Sequence, residues 1–114
     1  MRIVRDQITL AELTQLAEER FGDLVKAVVD LERGLMAVGE GMHADEEAGL
    51  LDDGSRQSQL WGINLYPAEY GTSGWLEFDS MINLRPAEGN RTRSVDDPEV
   101  RARIIDLVAR MVVS

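Results

Sequence analysis

A chain of 114 residues with 44% hydrophobic and 29% charged side chains has the size and balance of one globular domain, able to bury about two thirds of its unfolded surface without staples. The absence of cysteine excludes a disulfide framework and thiolate metal sites. A net charge of −9 argues against nucleic acid or an anionic membrane surface as a partner.

The opening stretch, Met1–Leu10, has two arginines but no apolar run behind them, so no signal peptide is expected. No apolar stretch is long enough to span a bilayer, and the cytoplasm is the expected compartment. Residues 2–5 suit a short edge strand. The first helix is well signalled. Thr9 and Glu12 have capping-box spacing, Ile8 is placed to staple onto Leu13, and Leu10, Leu13, Leu16, Ala17 and Phe21 form a stripe that ends at Gly22.

Val25–Glu32 and Leu35–Glu40 flank Arg33–Gly34, which predicts a hairpin with a two-residue turn. Pairing Glu32 with Leu35 sets Leu31 against Met36 and Val29 against Val38, all on one apolar face. Residues 44–53 read as a short acidic helix stopped by Gly54. Leu60–Tyr66 and Trp75–Arg85 are the strands of a second hairpin. Within the last, Leu76, Phe78, Ile82 and Leu84 alternate with Trp75, Glu77, Asp79, Met81, Asn83 and Arg85, the pattern of a sheet covered on one side. Asp97 as N-cap and Pro98 at the first helical position open a final helix with the stripe Val100, Ile104, Leu107, Val108 and Met111. The expected fold is α+β. It has an antiparallel sheet of about four strands in two hairpins, terminal helices mainly on one face, and a short acidic helix between the hairpins.

Several groupings carry possible chemistry. Gly39-x-Gly41-x-x-Ala44 follows a strand and opens a helix, as a dinucleotide fingerprint does. The strand belongs to a tight hairpin, however, and Asp45, Glu46 and Glu47 would repel phosphate from that helix start, so no cofactor is expected. His43, the only histidine, with Asp45 and Glu46 is a conceivable hard-cation site; an acidic solvated helix explains the same residues. The polar sheet face gathers Asp30, Glu32, Asn64, Asp79, Asn83 and Arg85. Were Asp30 and Asp79 to meet there, a carboxylate pair could act as acid and base. The loop from Arg85 to Arg93 holds three arginines against one acid. Arg85, Asn90, Arg91 and Arg93 are therefore the candidate anion-binding set, with pairing to carboxylates of the same chain as the plainer explanation. Trp75 and Met81, on the polar face, are candidate interface residues of a homodimer.

Val28–Gly39 running into His43–Glu47, Leu60–Pro67, and Glu77–Pro86 leading to Gly89–Arg91 and Asp96–Glu99 together resemble a small family of uncharacterised prokaryotic proteins, a domain of unknown function. The resemblance covers nearly the whole chain and implies a complete single-domain protein. It implies no activity, substrate or catalytic residue.

Two functional readings follow. The first is a non-enzymatic binding or self-assembling domain that uses an open sheet face and the arginine loop, with a small anionic ligand or a second copy as partner. The second is a small hydrolase- or isomerase-type enzyme with Asp30, Asp79 and Arg85 in a pocket on that face.

Overall fold

Five antiparallel strands form the centre of the fold. In the computed structural model, which describes residues 1–114, their order across the sheet is β1 (Arg2–Val4), β4 (Leu35–Val38), β3 (Val25–Asp30), β5 (Leu60–Leu65) and β6 (Leu76–Glu77). The two hairpins thus lie side by side through β3 and β5. Two further short strands, β2 (Ile8–Thr9) and β7 (Val112–Val113), pair in parallel and tie the two ends of the chain together. The class is α+β.

The helices form where caps and stripes place them. Thr9 Oγ1 accepts the Glu12 N–H at 3.1 Å and starts α1 (Leu10–Arg20). Only half of the capping box is made, because the Glu12 carboxylate turns outward to Arg2 at 2.8 Å. Asp97 accepts the Glu99 N–H and starts α3 (Pro98–Met111). Between them lies α2 (His43–Asp52), whose helical course ends before Gly54 at φ +103°, a conformation that favours glycine.

The first hairpin departs from its expected register. Its pairs are Asp30 with Leu35, Val29 with Met36 and Ala27 with Val38, and the turn is four residues long, Leu31–Gly34. The cause is Asp30, whose buried carboxylate accepts the N–H groups of Glu32 and Arg33 at 2.9 and 3.0 Å. This side-chain turn closes the strand two residues early. A slip of two preserves side-chain parity, so Val29, Met36 and Val38 still share one face.

The second hairpin departs further. Only Leu76–Glu77 pair with β5; Met81–Asn83 form a tight helical turn instead of a strand. The side chain of Asn83 takes the place of the missing strand: Oδ1 accepts the Gly62 N–H at 2.8 Å and Nδ2 donates to the Gly62 carbonyl at 2.9 Å. Alternation therefore fails beyond Asp79, and Ile82 joins the opposite face from Leu76 and Phe78, while Leu84 is exposed.

Both sheet faces are covered, which corrects the expectation of an open one. α1 and α3 press Leu13, Ala17, Ile104, Leu107, Val108 and Met111 onto Val29, Met36, Val38 and Ile63. On the other face α2 buries Leu50 against Val28, Leu35, Ala37 and Leu60. Three small apolar residues on that face, Val28, Ala37 and Gly62, let the helix and the Ser80–Asn83 turn approach closely. What stays polar is the end of the face beyond the N-terminus of α2.

Candidate functional site

Lys26, Asn64 and Glu77 stand in one row across three adjacent strands. Lys26 of β3 is opposite Asn64 of β5, and Asn64 is opposite Glu77 of β6. Period-two alternation puts all three side chains on the α2 face. They form the floor of a cleft of about 520 Å³, walled by Phe21, Leu24, Met42, His43, Met81 and Ile82, within the usual size range of small-ligand sites.

The floor is hydrogen-bonded in one direction. Asn64 Nδ2 donates to Glu77 Oε1 at 2.8 Å and to the Asp79 carbonyl at 3.3 Å. Two acceptors fix the amide orientation, and Asn64 Oδ1 is left buried without a donor. The Tyr66 hydroxyl donates to the same Glu77 oxygen at 3.1 Å. Burial, and then this carboxylate, push the Tyr66 hydroxyl above its usual pKa, which keeps it a donor. Lys26 has no carboxylate within ion-pair distance; its ammonium lies 5.4 Å from the Phe21 ring centroid. Arg93 Nε, by contrast, is paired with Asp79 at 2.8 Å.

His43 opens α2 and is 7% exposed. Its Nε2 lies 2.8 Å from the Ile63 carbonyl oxygen. Burial lowers its pKa, with the carbonyl hydrogen bond acting in the opposite direction. A carbonyl can only accept, so the neutral ring carries its proton on Nε2 and keeps a lone pair on Nδ1.

The residues singled out from sequence are dispersed. Asp30 sits at the far end of β3, four residues along the ladder from Lys26, about 13 Å away at strand rise, and its second oxygen accepts Ser55 Oγ–H at 2.6 Å. Asp30 and Asp79 are thus a turn cap and an ion-pair partner, not a carboxylate pair. Arg85 is 9% exposed, donates to the Gln57 and Leu60 carbonyls at 2.7 and 3.0 Å and stacks on Trp61 at 4.1 Å. Asn90 is buried too, donating to the Asn83, Thr92 and Ser94 carbonyls and accepting the Asp96 N–H. Those two hold the loop together, and an anion cannot recruit them without dismantling it. Arg91 is exposed, and of the four only Arg93 lines the cleft.

Asp45 is exposed, Glu46 is wholly buried and the His43 ring is turned to Ile63. These three do not converge, and no three His, Asp or Glu side chains anywhere in the protein are grouped to hold a metal ion. Trp75 packs toward α3, edge-on to Tyr70 at 5.0 Å, whereas Met81, 61% exposed, lines the cleft by α2. They do not make one patch. The turn from Thr72 to Trp75 delays alternation until Leu76, which is why Trp75 is not on the polar face.

Lys26, Tyr66 and Glu77 were not among the candidates. Lys26 carried a visible signal: it is the chain's only lysine, set in the apolar run Val25–Val29. What ties it to Glu77 is the strand order, which no local pattern encodes.

No helix is long and apolar enough to cross a membrane. No curated protein and no solved structure matches the chain. A family model described as a protein of unknown function, DUF5674, matches residues 2–111. The chain therefore belongs to the DUF5674 family.

Proposed function

We propose that the protein binds a small polar ligand bearing an anionic group, and that the site is the cleft over Lys26, Asn64 and Glu77. The observation that carries this reading is the unpaired Lys26 ammonium, the one cation of the cleft without a carboxylate partner. An ammonium against a half-apolar wall, in a protein of charge −9, attracts an anion locally where the chain as a whole repels it. The anionic ligand expected at the Arg85–Arg93 loop is thereby moved to its neighbour, with Arg93 shared between them. Binding is favoured over catalysis because Asp30, Asp79 and Arg85, the groups needed by the enzyme reading, do not meet.

The test is a titration with sodium acetate and with inorganic phosphate, followed by amide chemical shifts. Saturable shifts at Lys26, Asn64 and Glu77, weakened by added salt and lost in Lys26→Met, are expected. Shifts confined to Arg91 and its loop, or undiminished in Lys26→Met, would overturn the reading.

A further inference from the structure

The row Lys26–Asn64–Glu77 is a cation, an amide and an anion on neighbouring strands. Strand spacing is about 4.8 Å, so the two charged residues start roughly 10 Å apart at Cα with the amide midway, and their side chains can close on a ligand between them. The other two charges of the cleft, Asp79 and Arg93, already neutralise each other, and His43 is held neutral by burial. What remains is one positive and one negative group. A ligand with a single charge would satisfy one and leave the other facing it.

The hydrogen-bond inventory points the same way. Glu77 Oε1 takes two protein donors, while Oε2 takes none. Asn64, 93% buried, commits its nitrogen to Glu77 and Asp79 and so holds the Glu77 carboxylate in place. A group that brings N–H donors with positive charge to this corner supplies what Oε2 lacks. The wall of Phe21, Leu24, Met42, Met81 and Ile82 is apolar, and its two methionines are flexible enough to adapt to an aliphatic group.

The geometry points to a zwitterion as the ligand: a small amino acid with an apolar side chain, its carboxylate on Lys26, its ammonium on Glu77 Oε2, and its side chain against the methionine-lined wall. This rests on the cleft being the anion site proposed above and adds the second pole and the apolar group.

Calorimetric titration with three probes separates the two claims. L-leucine carries both poles, 4-methylpentanoate only the carboxylate and isopentylamine only the ammonium. Leucine should bind at least tenfold more tightly than either analogue. Glu77→Gln should reduce leucine to the affinity of 4-methylpentanoate and leave that acid unchanged, while Lys26→Met should remove the acid and spare the amine, with circular dichroism checking that both variants fold. If 4-methylpentanoate binds as tightly as leucine, the zwitterion is wrong and the anion site stands. If leucine binds but neither substitution weakens it, or if none of the three probes saturates, the zwitterion is wrong; absence of acetate and phosphate binding as well would remove the anion site with it.

Discussion

Replacing Glu46 with Gln should make the protein more stable at neutral pH, although the residue lies in the first turn of α2, where negative charge is normally favourable. Glu46 is wholly buried; one oxygen accepts the Glu40 N–H at 3.2 Å and the other has no partner. Burial raises its carboxyl pKa from the ordinary 4.5 to about 9. Between those values the folded protein holds a proton that the unfolded chain has released. The stability this group contributes is therefore complete below pH 4.5 and is lost as pH rises toward 9. At pH 7 the unfolded carboxyl is two and a half pH units above its own pKa. Each unit corresponds to roughly 1.4 kcal/mol, so keeping Glu46 neutral in the fold costs about 3.5 kcal/mol. Gln needs no proton and can accept from Glu40 with the same oxygen, but its amide nitrogen buries two unpaired donors where the protonated acid buries one, which takes back about 1 kcal/mol. The variant should gain about 2.5 kcal/mol at pH 7, a rise in Tm on the order of 10 °C. It should be slightly less stable than wild type near pH 4.5, and its advantage should grow as pH rises. Urea unfolding of both proteins at pH 4.5, 6, 7 and 8 measures it, and the subtraction cancels the opposing contribution of His43, whose lowered pKa favours the fold as pH rises toward 6.5. A variant that is no more stable at pH 7, or a difference that does not change with pH, refutes the reasoning.

Asp30→Ala removes an acceptor shared by three donors and should cost about 3 kcal/mol in urea denaturation; a loss below about 1 kcal/mol would mean that the turn does not depend on its carboxylate. Gly62→Ala would set a Cβ 2.5 Å from Ser80 Cβ and Oγ, which should push the Ser80–Asn83 turn off β5, cost about 2 kcal/mol and speed amide exchange at Gly62. Adding Ser80→Gly should recover part of that loss, and a Gly62→Ala protein as stable as wild type would show that the close approach carries no weight.

Much of the fold was legible because its signals are local. A capping threonine at position 9, the Asp97–Pro98 start, and glycines beyond two of the helices are decided within a few residues, and the structure has each of these. The misreadings came where a side chain replaces backbone. Asp30 bonds to two amides of its own turn and shortens β3; Asn83 imitates a strand against Gly62 and ends β6 early. Asp and Asn do this readily, but whether they do depends on which amide lies opposite.

The candidate site shows the same division more sharply. Residue chemistry drew attention to Arg85 and Asn90, yet a guanidinium or an amide is equally suited to tying a loop to backbone carbonyls, and both are used in that way here. The sequence by itself determined the fold class, the caps, the parity of β3 and β4 and the family, since each rests on periodicity or contiguous motif. Strand order, the covering of the second face by α2, and the alignment of Lys26, Asn64 and Glu77 were decided only by tertiary structure. These three residues are separated by 38 and 13 positions in the chain and meet only because β3, β5 and β6 are hydrogen-bonded neighbours in one register, a long-range choice made by burying both faces of the sheet at once.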